Sequence, residues 1–274
     1  EICVCAHLTQ TRYAQRTCAE MWKKMEKYWK ILCQICLVSI TMIFLTACGK
    51  STEKDVRLVP EKLKPSPTDS LIHLYADTDG TQVSGSGFIV QIEDGKIYIC
   101  TNKHVLDYAD EWTVSFSNGT QAAGQTIGCS SVYDVGVISV SCEDIDSQTM
   151  EKLSPVNVDL NNWNAMSNGE TECGGIMIYR MSTEGYSGNC IEGTVTGFME
   201  PFEYGNGLNH TKMDISLEPG DSGSAVFDEN GSLLAMVVGE IYNNEGNPSR
   251  WAVPLPSLIT SYKEITGKEW VSLF

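Results

Sequence analysis

The chain has 274 residues, 42% hydrophobic and 20% charged, with 19 Lys/Arg against 35 Asp/Glu and a formal net charge of −16. That length suffices for a real core, and 24 glycines with few helical-period segments point to an all-β body. Residues 1–47 hold six of the basic and three of the acidic side chains, leaving 13 basic against 32 acidic in 48–274; this balance speaks against a nucleic-acid partner, whose phosphates need neutralising.

The first predicted element is a targeting segment. "MWKKMEKYWK" (21–30) is basic, "ILCQICLVSITMIFLTA" (31–47) is a 17-residue apolar run, and Cys48 follows small residues. Basic, apolar and small residues in that order form a secretory signal. "LTAC" resembles the bacterial lipoprotein box, and the resemblance implies Cys48 as the lipid-modified first residue of the mature protein. An uncleaved membrane anchor is the alternative, since 17 residues is at the lower edge of spanning length. Either places the remainder on the extracytoplasmic face of a bacterial cell membrane. Residues 48–69 are a linker: three of the nine prolines, several charges and no periodicity.

From residue 70 the chain reads as short strands. Runs rich in β-branched and aromatic residues occupy 71–76, 86–92, 96–101, 112–116 and 135–140, and Asp94-Gly95 joins the second and third as a hairpin. A second series covers 174–180, 191–198, 211–216, 224–239 (with Glu229-Asn230-Gly231 as a hairpin tip) and 250–255. The rhythm predicts two six-stranded antiparallel barrels, about 70–155 and 165–256. One clear helix is terminal: Ser257 caps "LITSYKEIT" and Gly267 stops it, within a tail of 257–274. Cys100, Cys129, Cys142, Cys173 and Cys190 lie in the body, an odd number that allows two disulfides at most or none, and none has the spacing of a zinc site. No metal or cofactor is expected.

Three short motifs carry candidate chemistry. "TNKHVL" (101–106) puts His104 at a strand end, "DVGVISV" (134–140) starts a strand with Asp134, and "GDSGSAV" (220–226) sets Ser222 on a glycine turn. A serine hydroxyl needs an adjacent base, a histidine titrates near working pH, and a carboxylate can fix the histidine's tautomer. An α/β-hydrolase elbow fails, because Ser224 stands where its second glycine belongs. His73 and His210 sit in no matching motif and are read as structural.

In the order His, Asp, Ser, with "SGSGF" (84–88) upstream, these motifs resemble the trypsin-like (chymotrypsin-fold) serine peptidases, in the style of bacterial HtrA-type and glutamyl-endopeptidase-type members. The resemblance covers residues 70–262 and implies two chymotrypsin-like barrels and a C-terminal helix. It further implies His104, Asp134 and Ser222 as the triad, with the backbone N–H groups of Gly220 and Ser222 as oxyanion hole. Glycine at 220 would let the peptide turn inward, and Gly223 would leave room for substrate. The primary pocket would be lined by Ser216, Leu217, Val237, Val238 and Gly239, with no charge at its base and Glu240 near its mouth, favouring small or medium apolar side chains.

The chain also departs from relatives. No freed N-terminus is expected to pair with Asp221, no PDZ domain is expected in the 52 residues given after Ser222, and Val237 stands where glutamyl-specific members have a histidine. The expected function is a membrane-tethered endopeptidase acting on peptide or protein substrates. A catalytically silent peptide- or partner-binding lipoprotein on the same fold is the alternative.

Overall fold

The computed structural model describes residues 66–78, 80–202, 207–242 and 245–270; the signal-like segment, Cys48 and nearly all of the linker lie outside them. Among the described residues no helix is long and apolar enough to cross a membrane. Leu63–Phe274 forms one compact unit.

The first six strands are β1 (Leu71–Thr78), β2 (Thr81–Glu93), β3 (Lys96–Thr101), β4 (Glu111–Phe116), β5 (Gln121–Cys129) and β6 (Gly136–Ser141). They close into an antiparallel barrel in the order β1-β2-β3-β6-β5-β4. The pattern of β3, "KIYICT", shows why it pairs in the middle. Ile97 and Ile99 point into the barrel interior with Ile72, Leu74 and Phe116, while Tyr98 and Cys100 face the other way, into the core shared with the second barrel. A strand buried on both faces reads as an unbroken apolar run, not an alternating one. Asp94 and Gly95, at φ 51° and 70°, make the two-residue turn expected from the sequence.

The second barrel consists of β7 (Gly175–Ser182), β8 (Gly185–Pro201), β9 (Asn209–Asp214), β10 (Ala225–Asp228), β11 (Leu233–Tyr242) and β12 (Pro248–Pro254), closed in the order β10-β11-β12-β9-β8-β7. Two closed six-stranded barrels are the architecture expected from the strand rhythm. The short helices α1 (Lys103–Leu106), α2 (Ser147–Met150) and α3 (Leu160–Ser167) lie between strands, and α4 (Leu255–Thr266) ends the described fold.

Three details differ from the sequence reading. β5 was not expected. Only Gly124 in it is buried, so no apolar pattern announces it, and backbone pairing to β4 and β6 holds it. α3 was also unexpected: Asp159 caps it through the Asn162 N–H (2.9 Å), and only Trp163 and Met166 are buried. α4 begins at Leu255, with Pro254 as N-cap, so Ser257 is a buried residue of the first turn and not its cap. Gly267 does stop the helix, at φ 71° with its N–H on the Lys263 carbonyl.

Candidate active site

His104 sits in the single turn α1, directly after β3, and Asp134 lies just before β6. The β3–β6 pairing of Thr101 with Gly136 brings the two loops together. One Asp134 oxygen accepts the His104 backbone N–H (2.9 Å), and the other lies 2.6 Å from His104 Nδ1. An ionised carboxylate only accepts, so the proton of a neutral His104 ring belongs on Nδ1, which leaves Nε2 as the base. The rest of "TNKH" supports this geometry. Asn102, fully buried, donates through Nδ2 to the Asp134 carbonyl (3.0 Å). The Lys103–Asp107 pair, at 2.7 Å, is exposed and screened by solvent, and bears on the helix alone.

A second layer holds the Asp134 loop. Buried Ser130 accepts the Val132 and Tyr133 N–H groups on its hydroxyl, and its own N–H goes to the Val135 carbonyl (2.8 Å). Glu264 of α4 then clamps this loop, accepting the Ser130 hydroxyl (2.7 Å), the Ser131 hydroxyl (2.7 Å) and the Ser131 N–H (3.0 Å). These bonds, led by the Ser131 N–H, hold the Glu264 carboxyl below its ordinary range.

Ser222 lies on the turn between β9 and β10, and its hydroxyl donates to the Val238 carbonyl of β11 (3.1 Å), not to His104. Gly220 takes φ +99°, a conformation that L side chains rarely adopt, although a Cβ there would meet nothing closer than Ser84 Oγ at 3.9 Å. At Gly223 both conformation and space matter. With φ +88°, an added Cβ would lie 2.0 Å from the Ser86 carbonyl oxygen and 2.7 Å from Thr101 Oγ1. The room that Gly223 leaves is therefore filled by barrel-one backbone and not by substrate, which corrects the sequence expectation. Among the described residues, neither the Gly220 N–H nor the Ser222 N–H is given to a protein acceptor.

Asp221, 4% exposed, has an internal partner that the sequence did not disclose. Arg180 of β7 donates through Nε (2.9 Å to one oxygen) and Nη2 (2.9 Å to the other), and Asp221 also accepts the Glu218 N–H (2.7 Å). A forked guanidinium on both oxygens is the arrangement that makes a buried carboxylate tolerable. Asp221 thus orders the 218–221 turn, as expected, with Arg180 as its counter-ion.

The residues assigned by resemblance to the pocket are distributed unevenly. Val237 is fully buried, and its N–H and C=O bond Ser224 (2.9 Å) and Gly223 (3.0 Å), so it braces the Ser222 turn. Val238 and Gly239 are half-buried beside Ser222. Leu217 packs on the core edge, and the Ser216 carbonyl accepts from Arg180 (3.2 Å). Glu240 does not stand alone: Arg250 of β12 is its cross-strand partner and donates to it through Nε (2.6 Å), and lies 3.8 Å from Asp214 as well.

The other histidines are packed into the fold. Buried His210 lies between the rings of Phe202 (4.5 Å) and Tyr133 (5.9 Å), and burial keeps its pKa below the ordinary value, as it does for His73. The five cysteines of the body are free, and burial raises the pKa of each thiol.

Residues 85–236, more than half of the chain, match the family model of the trypsin-like peptidase domain. The chain belongs to the trypsin-like peptidases. It is 24% identical over 190 residues to the serine protease Do-like HtrA of Bacillus subtilis, covering 68% of this chain and 40% of that protein. It is 28% identical over 166 residues to a probable periplasmic serine endoprotease, DegP-like, of Pseudomonas savastanoi, covering 61% of this chain and 31% of that one. It therefore spans less than half the length of these curated relatives. Its fold resembles the solved HtrA-type protease AlgW with tripeptide at a TM-score of 0.56 and 19% identity, covering 75% of this chain and 65% of that one.

Sequence reasoning singled out His104, Asp134 and Ser222, of which the structure joins the first two by hydrogen bonds, and passed over Asn102, Ser130, Arg180, Arg250 and Glu264. "TN" before the histidine was the one local signal for Asn102. The others act across 10 to 134 residues of chain, beyond the reach of any short motif.

Proposed function

We propose that this trypsin-like peptidase is a serine endopeptidase that hydrolyses peptide bonds through an acyl-enzyme on Ser222. The observation that carries the reading is the two-point hold of Asp134 on His104, at 2.9 and 2.6 Å, which supports Nε2 as the base for the serine of the glycine turn. His104 Nε2 takes the Ser222 proton as the oxygen attacks the substrate carbonyl carbon. The Gly220 and Ser222 N–H groups receive the oxyanion; where such a donor has been removed, the loss is roughly 3–4 kcal/mol of barrier. His104 returns its proton to the leaving amine, and water then repeats the sequence on the ester. Substrates are peptides or proteins, in keeping with the protease relatives. Cys48 serves as the lipid attachment point, or the 31–47 segment as an uncleaved anchor, holding the domain on the extracytoplasmic face of a bacterial membrane; the signal-like order of residues supports this.

The hydroxyl of Ser222 on the Val238 carbonyl favours a second reading, a silent binder of peptides, because catalysis needs a χ1 change that swings the hydroxyl to His104. Reaction with a fluorophosphonate probe separates the two. Labelling of the wild type that vanishes in Ser222→Ala is the expected result. A folded wild type that takes up no label would leave the binding protein standing.

A further inference from the structure

We infer that Ser86 is the positioning residue that aims the oxyanion-binding amides of the Ser222 turn, a role that rests on the hydrolytic reading above. Ser86 lies on β2 inside "SGSGF", on the same strand face as Phe88 and Val90, the face that packs against the second barrel. It is 5% exposed and directs all three of its polar groups across that interface or along it. Its hydroxyl donates to the Gly220 carbonyl (2.8 Å), its N–H donates to the Ser222 carbonyl (2.8 Å), and its own carbonyl accepts the Thr101 hydroxyl (2.7 Å).

Peptide planarity turns these bonds into aim. A trans peptide points its C=O and N–H in opposite directions, so fixing one fixes the other. The 222–223 plane is held at both ends, by Ser86 N–H on the Ser222 carbonyl and by the Gly223 N–H on the Val237 carbonyl (3.0 Å). The 221–222 plane is held by Ser224 N–H on the Asp221 carbonyl (2.9 Å), which sends the Ser222 N–H to the opposite side. The 220–221 plane is held by the Ser86 hydroxyl on the Gly220 carbonyl and by the Asp221 N–H on the Glu218 carbonyl (3.1 Å).

The 219–220 plane, which bears the Gly220 N–H, has no such tie among the described residues. Its orientation follows from Gly220, whose φ of +99° is easily given up by a residue without a Cβ. The Ser86 hydroxyl holds the carbonyl immediately after that hinge, and is the side-chain bond nearest to it. Without that hydroxyl, the 220–221 plane keeps only the Asp221 N–H bond to the Glu218 carbonyl, and the Gly220 N–H is aimed less firmly at the oxyanion position. Close packing at the neighbouring Gly85 fixes the distance over which this works: a Cβ there would lie 2.8 Å from the side chain of Val105, one residue after His104, and 3.5 Å from the Ser222 carbonyl oxygen. The Ser86 strand therefore lies against both halves of the site.

Ser86→Ala keeps the N–H bond and the volume of the site while deleting the hydroxyl. With a peptide substrate of the full chain, kcat is expected to fall about tenfold, with KM within twofold of wild type. Affinity for a peptide aldehyde, whose adduct carries the oxyanion, should fall in parallel, while the melting temperature and the histidine limb of the pH profile stay in place. Ser86→Thr, which restores a hydroxyl, should recover part of kcat. A wild type that labels with fluorophosphonate beside a Ser86→Ala variant of unchanged kcat and aldehyde affinity overturns the positioning role alone. Losses that follow a lowered melting temperature, with KM and kcat moving together, overturn it as well. A wild type that neither cleaves nor labels overturns this role together with the hydrolytic reading.

Discussion

Asp134 spends both carboxylate oxygens on one residue, and this makes its replacement informative. The His104 backbone N–H, 2.9 Å from one oxygen, requires an acceptor at that position. In Asp134→Asn the amide oxygen must stay there, so the NH2 group faces His104 Nδ1 at the place of the 2.6 Å contact. Nδ1 then accepts, the ring proton moves to Nε2, and the base is lost without any change of shape. We expect kcat to fall roughly 10⁴-fold with KM nearly unchanged, as measured by steady-state peptide hydrolysis, the size seen for this exchange in a related triad. A fall of tenfold or less would mean that the ring proton is not placed by Asp134. The three candidate catalytic residues were legible because each belongs to a short motif whose residue type is dictated by chemistry. Ser86 was quoted in its motif yet its role was not legible, since its acceptor is 134 residues away. Arg180 carried no motif at all.

At the scale of elements, β11 and β12 carry a charge pair two residues beyond the strand position that holds the Ser222 hydroxyl. Cross-strand partners share a face, so Glu240 stands beside Arg250, and Arg250 beside Met213 of β9. Ala252, two residues on from Arg250, and Met213 are buried in the core, so this is the inward face, and Arg250 lies where it opens. Glu240 is two residues beyond Val238, whose carbonyl receives the Ser222 hydroxyl. The Tyr242 hydroxyl and the Arg250 guanidinium both hold the Glu240 carboxyl below its ordinary range. Glu240 and Arg250 answer one another, with the exposed Asp214 carboxylate a further 3.8 Å partner of Arg250, so neither member of the pair stands uncompensated. Removing one member exposes its partner. Glu240→Ala should turn preference towards acidic residues at that position, and Arg250→Ala towards Lys and Arg, each by about tenfold in relative kcat/KM on a peptide library. Profiles identical to wild type in both variants would remove these strands from substrate selection. The strands themselves were legible in proportion to their burial: β3, apolar on both faces, was read to the residue, while β5 and α3, with few buried side chains, were not seen.

Over the whole molecule, strand rhythm announces two barrels, but nothing in it shows how they are joined. α4 supplies much of that joint, following β12 of the second barrel and docking on the first. Tyr262, fully buried, donates to Gln91 (3.0 Å) across 171 residues of sequence, and Glu264 clamps the loop that carries Asp134. Such separations leave no local pattern, so a helix visible in the sequence gave no hint of its partners. The clamp has a consequence for pH. The bonds from Ser131 and Ser130 depress the Glu264 carboxyl in the folded state relative to an unfolded glutamate, whose pKa is about 4.3. A depressed pKa means that the ionised form is the one stabilised by folding. The contribution is therefore complete above the unfolded value and is lost as pH falls through the folded one. Glu264→Gln should melt a few degrees below wild type at pH 7, in thermal unfolding followed by circular dichroism, and the gap should close as both proteins are acidified below pH 4. A gap that persists unchanged at pH 3 would assign the loss to side-chain shape. A gap that closes would show that the loop bearing Asp134 is held to the second barrel by a charge, and that the site is anchored by the last helix of the fold as well as by its own strands.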